Sequence, residues 1–303
     1  MTVPPFLQKG DLVAIVCTAR AFSIEEAQPA IKWLESLGLK VRLGNTIGKK
    51  HFQFGGTDAE RTADFQTQLD DDNVKAIWCA RGGYGTVRMA DDLNFNHFIK
   101  HPKWVIGYSD VTVLHSIIHN LGIATLHAIM AFSVPKAPKE ILSAFAENIF
   151  GTWKAVKCKA DDYNQTGTAN AVVIGGNLSM LYSMCGSTSG LDTTDKILYI
   201  EDLDELLYHV DRMMYNLKRN GYLDNLAGLI VGGMTDMRDH DNPFGYDAKT
   251  IIKDLVKDKN YPVCFDFPAG HIANNNAILL GGKAFLDVKE SEVVFSQQHK
   301  IQV

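Results

Sequence analysis

The chain of 303 residues holds no apolar run near the ~20 residues that a membrane-crossing helix needs. Its first ten residues carry two prolines and no apolar core segment, so no secretory leader is expected. Cysteine is sparse and scattered. Cys17, Cys79, Cys158, Cys185 and Cys264 are odd in number, form no C-x-x-C, and mostly sit in apolar runs, as buried free thiols do. That excludes a disulfide framework and suits a reducing, cytoplasmic setting. There is no basic surplus either: 30 Lys and Arg face 35 Asp and Glu, for a net charge of −5, and the basic residues are spread out. A nucleic-acid partner is therefore not expected. The glycines form no G-x-G-x-x-G and no P-loop, and no H-E-x-x-H, repeat or low-complexity tract occurs. What is present is apolar residue at 46% against 21% charged, enough for a full core in two domains or one large one.

Apolar strands alternate with helical patterns through the first half. Strands are expected over 11–17, 40–43, 74–80, 104–106 and 124–127. Between them, Ser23-Ile24-Glu25-Glu26 and Thr57-Asp58-Ala59-Glu60 read as capping boxes opening helices. Further helices are expected up to residue 93, over 111–121 and over 138–150. That alternation predicts an α/β chain whose N-terminal domain, 1–150, is a doubly wound parallel sheet, with ligands beyond the strands' carboxyl ends. Residues 151–167 turn polar and read as a linker. The remainder, 168–303, mixes strands near 171–174, 197–200, 227–231 and 262–265 with short helices, one of them opened by Asp204. It closes with strands near 277–280, 284–288 and 292–295.

The chemistry concentrates at strand ends. The run Trp104-Val105-Ile106 passes through Gly107-Tyr108-Ser109-Asp110 into a helical pattern. Such a turn lifts a side chain above a sheet and offers helix N–H groups to a developing negative charge. It is half of a G-x-S-x-G elbow, because Val111 stands at the second glycine. Two readings fit it: Ser109 as a nucleophile, or Ser109 or Asp110 as a helix cap. A serine nucleophile needs a base and an acid to orient it. Of ten histidines, His97, His101, His240 and His299 lie in polar surroundings. His115 and His119 share a helix face at i, i+4 but lack the Glu of a zinc motif. His271 follows an apolar strand and Pro268-Ala269-Gly270, which presents it on a loop, as a base or as a turn histidine. Glu201 ends the run Ile197-Leu198-Tyr199-Ile200, while Asp202, Asp204 and Glu205 suit the next helix N-terminus better. The glycines of Arg81-Gly82-Gly83-Tyr84-Gly85 allow backbone amides close to a ligand.

Taken together, Ala80-Arg81-Gly82-Gly83-Tyr84-Gly85, Gly107-Tyr108-Ser109-Asp110, Gly175-Gly176-Asn177-Leu178, Ile200-Glu201-Asp202 and Ala269-Gly270-His271 resemble, in order and spacing, the LD-carboxypeptidase family of serine peptidases. That family includes murein tetrapeptide carboxypeptidases and microcin C immunity peptidases. The resemblance implies an N-terminal α/β domain, a C-terminal mainly β domain with helices, and an active site in the cleft between them. It implies Ser109 as nucleophile, His271 as base, Glu201 as its orienter, and the N–H groups of Gly83 and Asp110 as oxyanion hole. Tyr84 and Asn177 become candidate substrate contacts. No metal or organic cofactor is implied. The implied partner is a small murein-type peptide, or an aminoacyl-nucleotide in the near alternative, and the implied assembly a homodimer. The other class open to the residues is a non-enzymatic ligand-binding protein. Cys17-Thr18-Ala19-Arg20 departs from the family's Ala-Pro-Ser type turn, which leaves substrate contacts there open.

Overall fold

The computed structural model describes residues 1–297; His299 lies outside them. The chain divides into two compact units.

The first unit comprises Met1–Thr152 together with Asn276–Leu279. Its strands β1 (Leu12–Val16), β2 (Lys40–Leu43), β3 (Val74–Cys79), β4 (Trp104–Gly107) and β5 (Thr125–His127) lie in the order β5-β4-β3-β1-β2, and the pairings are parallel. Helices α1 (Ile24–Ser36), α2 (Asp58–Asp70), α3 (Val87–Ala90), α4 (Asn96–Lys100), α5 (Thr112–Asn120) and α6 (Lys139–Ile149) connect them. Both capping boxes form as expected: the Ser23 and Thr57 hydroxyls each accept an N3 amide, and Glu26 and Glu60 reach back to the cap N–H. Because side chains alternate across a strand, β3 serves both faces. Ile77 and Cys79 enter a core with Phe65 and Leu69 of α2 and Leu114 and Ile118 of α5. Trp78 points the other way, its ring 5.7 Å from Trp33 of α1 and 5.6 Å from Phe145 of α6. A buried ring of this kind resists truncation by about 3–5 kcal/mol. β1 has β2 on one side and β3 on the other, so the winding reverses between β1 and β3, and ligands favour such a point.

The second unit comprises Trp153–Asn275 and the chain from Leu280. It contains β6 (Val156–Lys159), β7 (Gly167–Asn177), β8 (Ile197–Leu203), β9 (Gly228–Thr235) and β10 (Val263–Cys264), with helices α7 (Leu178–Met184), α8 (Leu207–Arg219) and α9 (Ala248–Val256). After β10 the chain gives β11 (Ile278–Leu280) to the first sheet, at the outer edge of β5, and returns as β12 (Lys283–Val288) and β13 (Glu292–Ser296). The second sheet runs β10-β9-β8-β7-β12-β13-β6. β7 to β10 are parallel, whereas β12, β13 and β6 add on antiparallel. Fold class is thus the expected α/β with two sheets.

Two boundaries differ from the sequence expectation. Residues 151–167 are not a bare linker: β6 pairs with β13, and Gln165 exchanges both backbone hydrogen bonds with Val263 at 2.9 and 3.0 Å. The segment reads as polar because it covers sheet edges, where one strand face stays in water. Residues 276–279 belong with the first unit rather than with 168–303.

Candidate active site

In the first unit, β4 is buried throughout and delivers Ser109 at φ +64°, a left-handed conformation that costs a side chain of this kind energy. A short 3₁₀ turn, Ser109–Val111, then feeds α5. Gly107 explains the half-matched elbow. A Cβ there would come within 2.8 Å of Val111, so the valine fills the space the glycine leaves. His115 of α5 donates through Nε2 to the Gly107 carbonyl at 3.0 Å. Burial pulls its pKa down to about 4, so it is a neutral brace. Its expected face-mate His119 joins it in no metal-like cluster among the described residues; Asp72, His97 and His101 gather ligand atoms within 4.8 Å at the surface.

The glycine loop after β3 packs onto this elbow. A Cβ on Gly82 would lie 3.2 Å from both Cβ and Oγ of Ser109. Asp110 is buried, and its Oδ2 accepts the Thr86 N–H at 2.7 Å, tying the loop to the elbow. Burial raises its pKa against the lowering effect of the Thr86 bonds. Gly83 takes φ +115°, and Asp110 is the second residue of the Ser109–Val111 turn, where backbone N–H groups point out of the helix start. Arg61, which sequence reasoning passed over as a helix residue, is fully buried (0% exposed) and donates to the carbonyls of Thr18 and Gly85. It joins the loops after β1 and β3. Tyr84 stands 48% exposed on this loop, its ring 6.5 Å from Phe54.

In the second unit, Glu201 lies inside β8 rather than at its end, and it is 0% exposed. Pairing with β9 shifts register between Ile200 and Asp202, the irregularity that re-aims a side chain at a strand. Glu201 Oε2 accepts two bonds from His271, from the backbone N–H at 3.1 Å and from ring Nδ1 at 2.6 Å. A carboxylate only accepts here, so Nδ1 carries the proton and Nε2 is left as the basic nitrogen. Gly270 makes this approach possible: at φ +104°, a Cβ would come within 2.7 Å of Glu201 Oε2. Its N–H donates to Asn275 Oδ1 at 2.8 Å, pinning the loop. Burial pulls the His271 pKa down, but the charge and hydrogen bond of Glu201, with Asp202 behind it, outweigh that and raise it.

Asn177 and Asp202 form a second buried pair. Asn177 caps α7 through Oδ1, which accepts from Met180 N at 3.2 Å, and its Nδ2 donates to Asp202 Oδ1 at 2.9 Å. Asp202 also accepts the Ser179 and Leu203 N–H groups, at 2.9 and 2.8 Å. Burial, then the adjacent Glu201, push its pKa up to about 7. Asp202 thus serves α7, not the following helix. Asp204 does not open α8 either. It sits at φ +60° in the connection, paired with Arg238 at 2.7 Å, and α8 starts at Leu207 without a side-chain cap.

A strained serine on a strand-to-helix turn, and a histidine held by a buried carboxylate, are components that serine peptidases use. The chain belongs to the LD-carboxypeptidase family: its N-terminal domain model matches residues 13–128 and its C-terminal domain model residues 170–286. It is 33% identical over 299 residues to a probable murein peptide carboxypeptidase of Bacillus subtilis, covering 96% of this chain and 93% of that one. The crystal structure of a muramoyltetrapeptide carboxypeptidase from Oxalobacter formigenes superposes with a TM-score of 0.87 at 28% identity, covering 95% and 99% of the two chains. The microcin C7 self-immunity protein MccF of Escherichia coli is 23% identical over 306 residues, covering 89% and 87%.

Proposed function

We propose that the protein is a serine LD-carboxypeptidase that cleaves the amide bond between an L-centre and a terminal D-amino acid, releasing D-alanine from murein tetrapeptide. Ser109 Oγ attacks the scissile carbonyl carbon while His271 Nε2 takes its proton. The N–H groups of Gly83 and Asp110 receive the oxyanion, each worth roughly 3 kcal/mol of barrier in comparable sites. His271 then protonates the leaving amine, and water repeats the sequence to free the acyl group from Ser109. Glu201 orients the imidazole and offsets its transient charge. The observation that carries this assignment is the 2.6 Å bond from His271 Nδ1 to a fully buried Glu201, since it leaves Nε2 as the base.

The murein substrate is supported by the names of the relatives in Bacillus subtilis and Oxalobacter formigenes. Tyr84 is proposed as a substrate contact from its exposure. Asn177 is engaged in capping and in holding Asp202, so its contribution to substrate is through them. The cytoplasmic setting is supported by five free thiols; the homodimer rests on the family resemblance. The test is mass spectrometry after incubation with murein tripeptide, tetrapeptide and pentapeptide and an aminoacyl sulfamoyl nucleotide. Tetrapeptide should lose D-alanine, and Ser109→Ala should slow this by at least about 10³-fold while the protein stays folded. Selective cleavage of the nucleotide would move the substrate to the MccF type, and an active alanine variant would dismiss Ser109.

A further inference from the structure

A carboxypeptidase must tell the end of a peptide from its middle, and the group that marks the end is a carboxylate. Four arginines border the loops around Ser109. Arg61 is buried and committed to Asp58, Thr18 and Gly85. Arg88 pairs with Asp58 at 2.6 Å, and Arg81 lies 3.7 Å from Glu26. Arg20 is exposed and, among the described residues, takes part in no ion pair.

Its backbone is nevertheless fixed. Arg20 bridges antiparallel to Phe54, and its N–H donates to the Gly82 carbonyl at 3.4 Å. Its side chain lies along the glycine loop: a Cβ on Gly83 would come within 2.6 Å of Arg20 Cγ and 2.7 Å of Nε. The preceding glycine, ~3.8 Å away along the backbone, is the one that faces Ser109 Oγ. Arg20 therefore belongs to the loop after β1 and overlies the loop after β3, at the point where the sheet reverses its winding.

We propose that Arg20 binds the terminal carboxylate of the substrate, an assignment that rests on Ser109 being the nucleophile. In an acylated amino acid the carboxylate carbon lies no more than about 4 Å from the scissile carbonyl carbon, given the bonds that join them. A cation that reads it must stand beside the nucleophile. A guanidinium meets a carboxylate with two parallel N–H donors, and Arg20 has no competing carboxylate to release.

The test compares a murein tetrapeptide with the same peptide ending in a carboxamide. A charge-assisted contact of this kind predicts a preference of about 10–100-fold in kcat/KM for the free acid. Arg20→Ala should erase most of that preference, chiefly by raising KM for the acid, and Arg20→Lys should restore part of it. Calorimetric binding of both peptides to Ser109→Ala, with and without Arg20→Ala, should give the same ranking without turnover. An acid preference undiminished in Arg20→Ala overturns the proposal. Turnover by Ser109→Ala would instead overturn the nucleophile, while the binding comparison would still judge Arg20.

Discussion

The proton affinity of His271, the proposed base, is set by opposing effects. Burial alone would take it below its ordinary value of 6.5, and Glu201 reverses the sign. Protonated imidazole cannot accept the serine proton, so activity should rise with pH through a limb lying above 6.5. The same shift contributes stability that is complete below 6.5 and is lost as pH climbs through the raised value. Glu201→Gln keeps the shape but removes the charge, leaving Asp202 as the remaining charge that opposes burial. The limb should then fall to lower pH while kcat drops about 10²–10⁴-fold, as a kcat/KM profile between about pH 5 and 9 would record. A lower rate with an unmoved limb would mean that Glu201 acts other than through His271. Glu201 and His271 were each conspicuous in the sequence, as polar residues beside apolar strands. Their pairing, across 70 positions, was legible only through the family resemblance. The glycine that permits it carried no local signal, because Gly270 matters for what it lacks against Glu201. Arg61 hid for the opposite reason: a charged residue in a helix pattern reads as a solvated face, and its partners are carbonyls of distant loops.

Helix starts divide into those set by neighbours in sequence and those set by folding. The boxes at Ser23 and Thr57 were legible because every atom involved lies within four residues. Of the acidic cluster at the end of β8, the sequence pointed to Asp204 as the opener of the next helix, and the structure does not bear that out. The structure gives that work to Asp202, but for α7, through Asn177 and Ser179. The strand also runs two residues past Glu201, since its irregular register with β9 prolongs pairing beyond the apolar run. Stability should follow these roles. Asn177→Ala removes the α7 cap and one donor to a buried carboxylate, so denaturant unfolding should register a loss of about 1–2 kcal/mol. Asp204→Asn retains a residue that tolerates positive φ and gives up only an exposed ion pair, so it should stay within about 0.5 kcal/mol. A reversed order would return the capping role to Asp204.

At the scale of the molecule, the two sheets were legible from alternation, but the path of the chain between them was not. An apolar run such as 277–280 looks the same whichever sheet receives it. Its placement in β11 makes the first unit discontinuous. A fragment of residues 1–152 should therefore leave the β5 edge open and self-associate. Size-exclusion chromatography should show oligomers where the full chain shows a defined species, and a monodisperse, folded monomer would speak against dependence on β11. There is a temporal side to this arrangement. On the ribosome the first unit is begun first yet stays incomplete until Trp153–Asn275 has been made, because its sixth strand follows that stretch. At about 5–20 residues per second that interval is on the order of ten seconds. Throughout it the nascent chain exposes a β-edge of the kind that chaperones shield.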